Sequence, residues 1–248
     1  SSRRRHTRFR NVTGVQTCAL PICDGWYKCG RYSRASPVSR AGLVIVKIGV
    51  LALQGDVREH IQSLSDCGVD ARAVKTKDEI SEISALIIPG GESTTIAKLA
   101  RAFDLMDLIK DRIKSGMPTY GSCAGMILLS DVIKDAIQGQ ETFGGIDMVV
   151  RRNAFGRQVD SFETDLKFKG ITEPAVRAVF IRAPWVESVG ASVEVLAEIS
   201  DAKGVKHPVA VRSGHLLATS FHPELTGDNR VHRFFVENIC RELAGSKG

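Results

Sequence analysis

From residue 46 onward the chain alternates short, almost wholly apolar runs with longer stretches in which apolar residues recur every three or four positions. Runs that are apolar at every position suit strands buried on both faces of a parallel sheet, and the three-to-four spacing suits helices that cover it. Residues 46–53 predict a first strand, bounded by Gly55, after which Asp56 is placed to cap a helix running through Cys67 with Gly68 as its stop. A second strand follows over 70–76, a short helix over 78–84 and a third strand over 85–89. This alternation implies right-handed crossovers and a mostly parallel sheet. A long helix is predicted over 94–115, capped by Ser93, and its stripe of Leu99, Ala102, Phe103, Met106, Ile109 and Ile113 reads as core.

The pattern changes past the middle of the chain. Residues 117–129 run from a short apolar segment through Gly121-Ser122-Cys123-Ala124-Gly125 into an apolar stretch of helical character. The polar, Gly-containing residues 131–145 read as a surface loop, and 147–153 as a strand. Short β-like runs at 164–168, 178–183, 193–199 and 208–212 suggest antiparallel hairpins, not further strand–helix units. A last apolar strand over 215–219 leads into Ser220-Phe221-His222-Pro223-Glu224, and 228–243 predict an amphipathic helix with Val231, Phe234, Phe235 and Ile239 facing inward.

Composition changes this picture only at the N-terminus. The 248 residues, 43% hydrophobic, suffice for one well-buried domain, here placed at 46–246. No apolar run approaches the ~20 residues of a membrane span. The net charge of +6 is unevenly spread: residues 1–46 carry nine Arg or Lys against Asp24 alone, which leaves the remainder at −2. A mildly acidic domain argues against nucleic acid as a partner. Residues 1–45 lack a convincing period, and their three cysteines, Cys18, Cys23 and Cys29, match no zinc spacing. The run from Asn11 to Ile22 resembles translated vector or adapter sequence. The segment is therefore expected to be disordered and either non-native or dispensable; an Arg- and Ser-rich transit peptide is the other reading.

The candidate chemistry centres on Cys123. A residue at a strand-to-helix corner, with small neighbours two positions away on each side, has the spacing of a nucleophile elbow. The following helix start favours a thiolate, and the amide of Ala124 faces the region where an acyl oxyanion would develop. Taken alone, Cys123 reads equally well as a buried small hydrophobe. His222 and Glu224 supply what a thiolate nucleophile needs, a base and a carboxylate to orient it, although His-Pro-Glu by itself is also an ordinary surface turn. The i, i+2 spacing in extended chain would place both side chains on one side. Gly90-Gly91-Glu92-Ser93 follows the third strand, at the strand ends where open α/β sheets bind ligands, and makes the Gly91 amide a second oxyanion donor.

Tyr-Gly-Ser-Cys-Ala-Gly-Met around Cys123, Ser-Phe-His-Pro-Glu-Leu around His222 and Pro-Gly-Gly-Glu-Ser-Thr-Thr from Pro89 together resemble the class I (triad) glutamine amidotransferases. Within that group, Leu51-Ala-Leu-Gln-Gly-Asp56, the Arg152-Asn-Ala-Phe-Gly-Arg-Gln-Val-Asp-Ser-Phe162 run and Phe180-Ile-Arg-Ala-Pro184 resemble the glutaminase subunits of pyridoxal 5′-phosphate synthase, over residues 46–243. The resemblance implies a three-layer, flavodoxin-like, mostly parallel sheet with helices on both faces and additional antiparallel strands. It also implies a Cys123–His222–Glu224 triad that hydrolyses glutamine, in a cytoplasmic protein with no cofactor or metal. Gly91, Glu92, Ser93, Arg152 (in preference to the adjacent Arg151), Ile181 and Arg182 would bind glutamine, and Gln54 would rearrange on activation. The implied partner is a (β/α)₈-barrel synthase subunit in a large mixed assembly. Other readings are the glutaminase subunit of a different amidotransferase, such as imidazole glycerol phosphate synthase, a γ-glutamyl hydrolase, or a non-catalytic regulatory module on the same scaffold.

Overall fold

The computed structural model describes residues 46–152, 154, 161–201 and 203–241. The expectations for residues 1–45, for most of the run from Asn153 to Asp160 and for the end of the last helix at Leu243 lie outside the described residues.

Four fully buried strands, β1 (Ile48–Leu51), β3 (Ala85–Ile88), β4 (Thr119–Ser122) and β12 (Leu216–Thr219), form the centre of the main sheet. With β2 (Ala71–Val74), β10 (Glu194–Ser200) and β11 (Lys206–Ser213) they make seven strands in the order β10-β11-β12-β4-β3-β1-β2. The pairs from β2 to β12 are parallel, and β10 and β11 add an antiparallel edge. Helices α1 (Val57–Asp66) and α6 (Arg230–Phe235) contribute to one core layer, and α3 (Ser93–Ala102), α4 (Met106–Lys114) and α5 (Ala124–Leu129) to the other. The three-layer, flavodoxin-like class expected from the sequence is therefore the class observed. The order β2-β1-β3-β4-β12 puts the reversal of strand order between β1 and β3, and ligand crevices open at such points.

A short helix, α2 (Lys77–Glu82), is held by a capping box in which Thr76 and Glu79 satisfy each other's backbone N–H groups. A three-stranded sheet, β5 (Ser130–Lys134), β6 (Ile146–Arg151) and β9 (Trp185–Val189), and the hairpin of β7 (Ser161–Leu166) with β8 (Val176–Ile181) complete the described elements. The hairpins expected after residue 161 are present. β9 has no counterpart among the expected strands, and β5 occupies the start of the stretch expected as loop.

Several local readings need correction. The helix predicted over 94–115 is two helices. Asp104 adopts φ 54, a left-handed conformation that Asp tolerates, and the N–H groups of Asp104 and Leu105 return to the carbonyls of Arg101 and Ala100, closing α3. At the break the inferred core stripe fails: Phe103 is 57% exposed, Ala102 is exposed too and Leu99 is half-buried, and buried Leu105 takes the inward position. The cap of α3 is Glu92, whose carboxylate accepts the Thr95 N–H; Ser93 is the first helical residue. Asp56 occupies the N-cap position of α1 but makes no side-chain cap hydrogen bond. The closing helix is α-helical to Phe235 and π-helical over Val236–Cys240, with Val231, Phe234, Phe235 and Ile239 buried as expected. No helix among the described residues is long and apolar enough to cross a membrane.

Candidate active site

Cys123 stands between β4 and α5 at φ 48, ψ −96, a backbone region that a non-glycine residue occupies only when its surroundings enforce it. The surroundings explain the two glycines. A Cβ on Gly121 would lie 2.5 Å from the Gly125 backbone, and one on Gly125 would lie 2.3 Å from the carbonyl oxygen of Ile88 on β3. Only glycine at both positions lets strand and helix close to this distance, and closing them turns the thiol out of the sheet. Cys123 N donates to Thr219 O of β12 at 2.8 Å, and its Sγ lies 4.0 Å from the carbonyl oxygen of Ile181 at the end of β8.

β12, the parallel neighbour of β4, delivers His222 to the same rim. The His222 imidazole interacts electrostatically with the Cys123 side chain, while its Nδ1 lies 2.8 Å from Glu224 Oε1. The pair is not formed in extended chain, as the i, i+2 spacing suggested. His222 is followed by a 3₁₀ turn, Pro223–Leu225, which folds Glu224 back beneath the ring. His222 and Glu224 are 4% and 6% exposed. Burial would push the imidazole down, but its interactions with Asp56, Cys123 and Glu224 outweigh that and hold it far above its ordinary value. Burial likewise favours a protonated Glu224, and the His60 and His222 imidazoles overcome it, holding the carboxyl down at about 2. The couple is an imidazolium against a carboxylate, a proton donor held beside Cys123.

Three residues at this rim were not anticipated. Ser122 Oγ donates to both carboxylate oxygens of Glu224, at 3.2 and 3.3 Å. Asp56, expected from sequence to cap a helix, instead points its carboxylate at His222 Nδ1 from 3.4 Å, competing with Glu224. His60, one helical turn further along α1, has its Nε2 3.5 Å from Glu224 Oε1. An acid immediately after a glycine at the end of a central strand was the available signal for Asp56; Ser122 and His60 gave none. Asp56, His222 and Glu224 also present ligand atoms within 4.8 Å of one another, but a metal there would have to break the His222–Glu224 hydrogen bond.

The residues singled out for glutamine form a second cluster across the elbow. Arg152 Nη2 donates to Glu92 Oε1 and Arg152 Nη1 to Gln140 Oε1, each at 3.0 Å, and Gln140 Nε2 donates to Ser93 Oγ at 3.1 Å. Gln140 was not foreseen, because it lies in the stretch expected as a loop. Arg151 points elsewhere, to Glu187 and Asp135, which leaves Arg152 as the arginine of this cluster. Partial burial acts to raise the Glu92 carboxyl, but hydrogen bonds from Thr94 and Thr95 outweigh it and keep the group below its ordinary value. Gln54 Oε1 accepts the Glu92 N–H at 2.7 Å and packs against Gly91, at φ 150. Gly91, in the turn after β3, and Ala124, the first residue of α5, both lie just beyond the C-terminal ends of the adjacent strands β3 and β4. Ile181 and Arg182 are exposed at the end of β8, Arg182 at φ 44, and the neighbouring Ala183 O accepts from Ala154 N, joining that end to the Arg152 segment.

An open, mostly parallel sheet with a strained cysteine on its central strand and an imidazole–carboxylate pair on the next defines a class, the glutamine amidotransferases with a cysteine elbow. The SNO glutamine amidotransferase family profile matches residues 50–241, and the chain belongs to that family. A relative from Parafrankia sp. (strain EAN1pec), named pyridoxal 5′-phosphate synthase subunit PdxT, is 58% identical over 202 residues, covering 82% of this chain and 97% of its own. The Streptomyces avermitilis protein of the same name is 59% identical over 192 residues, 77% of this chain and 93% of its own. A solved glutamine amidotransferase crystal structure superposes with a TM-score of 0.70 at 48% identity, covering 77% of this chain and 97% of that one. A GMP synthase-like protein from Thermoplasma acidophilum, 18% identical with a TM-score of 0.56, shares the fold; 83% of this chain and 99% of that one align.

Proposed function

We propose that this protein is the glutaminase subunit of a pyridoxal 5′-phosphate synthase, releasing glutamate and ammonia through Cys123, His222 and Glu224. The thiolate of Cys123 attacks the side-chain amide carbon of glutamine. His222 protonates the departing ammonia, and water, deprotonated by His222, then cleaves the γ-glutamyl thioester. Glu224 keeps Nδ1 protonated so that Nε2 faces the thiol. The amides of Gly91 and Ala124 receive the oxyanion of each tetrahedral intermediate, at about 3–4 kcal/mol per donor. The single observation that carries this reading is the strained Cys123 interacting with His222, whose Nδ1 is held by the buried Glu224 at 2.8 Å.

Arg152, with Glu92 and Ser93, takes the α-amino acid end of glutamine: a guanidinium offers two parallel donors to the α-carboxylate. Ile181 and Arg182 close the pocket from the end of β8. Gln54 is the activation-linked residue, since its hold on the Glu92 N–H ties down the loop that carries Gly91. Ammonia near neutral pH is mostly protonated in water, so it is passed directly to a separate (β/α)₈-barrel synthase chain in a mixed assembly. Relatives at 58–59% identity are named subunits of pyridoxal 5′-phosphate synthase, which supports a partner chain. Residues 1–42 take no part. The test is glutamate and ammonia release on mixing with such a synthase chain. Cys123→Ala and His222→Asn should each lower the rate by on the order of 10³-fold or more; full activity in either would remove the triad.

A further inference from the structure

Behind Glu224 lies a pair of buried imidazoles that the proposed chemistry does not use. His60 on α1 and His232 on α6 are both 0% exposed, and His60 Nδ1 is 2.9 Å from His232 Nε2. Tyr120 sets its ring nearly perpendicular to both, with centroids 6.1 and 5.9 Å away. The other nitrogen of His60 faces Glu224 Oε1 at 3.5 Å without a hydrogen bond formed, and that of His232 has no hydrogen-bond partner either. Two polar rings in such a place cost desolvation that Phe or Leu would avoid while filling the same space.

We infer that His60, oriented by His232, is a positioning residue that donates a hydrogen bond to Glu224 and so extends the line Cys123–His222–Glu224 by two members. The inference rests on the glutaminase reading above. Its direction follows from counting protons. One nitrogen of the His60–His232 contact must donate and the other accept. Were His60 the donor, its bare Nε2 lone pair would face a carboxylate oxygen, and His232 would bury an N–H with no acceptor. With His232 as the donor, His60 carries its proton on Nε2, which faces the Glu224 carboxylate from 3.5 Å, and His232 Nδ1 is left with a lone pair and no donor. An orphaned donor is rarer and costlier than an under-used acceptor, and a lone pair against a carboxylate is repulsive. The second arrangement wins on both counts.

Both rings are neutral in it. Burial pushes His60 down and His232 down to about 3, and the groups facing them do not reverse this: Glu224, His222, Asp56 and Glu59 around His60, and His60, Glu224 and Asp228 around His232. Glu224 then receives His222, Ser122 and His60 from three elements, which fixes the carboxylate plane. At 3.5 Å the His60–Glu224 contact is not a formed hydrogen bond, and catalytic hydrogen bonds are often this long until substrate tightens them.

The first test needs no turnover and so stands apart from the glutaminase reading. Long-range ¹H–¹⁵N correlation spectra of the full chain should show His60 and His232 as neutral Nε2–H tautomers near pH 7; a proton on His60 Nδ1, or a charged His60, overturns the inference. The second test uses glutamine turnover with the synthase chain. His60→Phe should lower kcat about tenfold, the loss of one charge-assisted hydrogen bond, with KM unchanged. His60→Gln, which keeps an N–H near the position of Nε2, should restore most of kcat. Equal loss in the two variants, or a loss confined to KM or to Tm, would assign the pair to packing alone. Should His60→Phe fail to fold, the tautomers of the unaltered protein still decide.

Discussion

On one side of Cys123 the proton-handling groups are sealed: His222, Glu224, Ser122, His60 and His232 are all buried, and each is anchored on or beside a central strand or on a helix packed against it. On the other side the glutamine-binding candidates sit on loops and at the ends of α3 and β8, with the Glu92 side chain 45% exposed and Arg152 17%. Both sides are hydrogen-bonded, but to different ends. The buried side is already paired as catalysis requires. The open side is paired with itself: Arg152 holds Glu92 and Gln140, and Gln54 holds the Glu92 amide. Substrate has to replace some of those contacts, so binding there exchanges bonds, whereas the sealed side reacts without rearranging. Substitutions on the sealed side should therefore act on kcat, and those on the open side on KM.

The largest effect expected within this contrast belongs to Glu224→Gln. The amide keeps the shape but presents the wrong groups to Nδ1, and kcat should fall by roughly 10²- to 10⁴-fold with little change in KM. The same variant reports on stability. Folding lowers the Glu224 carboxyl from 4.5 to about 2. A lowered acid contributes stability above its unfolded value that is lost as pH falls through the folded one, here between pH 4.5 and about 2. The contribution is on the order of 3 kcal/mol near neutral pH. Tm followed from pH 7 to pH 2.5 should drop more steeply in the unaltered protein than in Glu224→Gln, the two curves converging in acid. Parallel curves would mean that Glu224 is not held ionised, and the two sides of the elbow would then differ less than their burial suggests.

The same division governs what could be read from the sequence. The elbow was legible because its constraint is local: Gly121 and Gly125 are required by contacts within a few residues of Cys123 and with the adjacent strand. His222 and Glu224 were legible as neighbours in sequence, although the 3₁₀ turn that joins them was not. The His60–His232 contact spans 172 positions and leaves no periodic trace, since both residues sit on helices whose other buried positions are ordinary core. Asp56 misleads for a related reason. An acid before a helix satisfies a local rule, and only the position of β12 shows that its carboxylate faces an imidazole instead. The parallel type of the sheet was legible because apolar strands such as β1 and β3 carry their burial in their composition, whereas the strand order was not. The split between α3 and α4 was not, because a single left-handed Asp104 leaves the apolar spacing almost undisturbed.

On the open side the next effect in size is Arg152→Lys. An ammonium keeps the charge but gives up the two parallel donors and cannot hold Glu92 and Gln140 together. KM for glutamine should rise about tenfold with kcat within a factor of two, as expected when an interaction made equally in ground and transition states is lost. Initial rates over a range of glutamine concentrations, with the synthase chain present, separate the two parameters. A fall in kcat with unchanged KM would move Arg152 to the catalytic side of the comparison.

The smallest change, and the one that most sharpens the contrast, is Gln140→Ala. Gln140 touches no candidate catalytic group; it accepts from Arg152 and donates to Ser93, bridging two residues placed in the glutamine pocket. If that bridge preorganises the pocket, its loss leaves Arg152 tied only to Glu92 and costs binding entropy, raising KM by about two- to fourfold, near 0.5–1 kcal/mol. If the bridge instead competes with substrate for the guanidinium, its loss frees a donor and KM falls by a similar factor. The geometry favours the first outcome, because Arg152 has donors to spare and Ser93 is held at the mouth of α3 by the same amide. A KM lowered by the substitution would show that the open side rests in a self-blocked state, and would extend the difference between the two sides from how they are built to how they are switched.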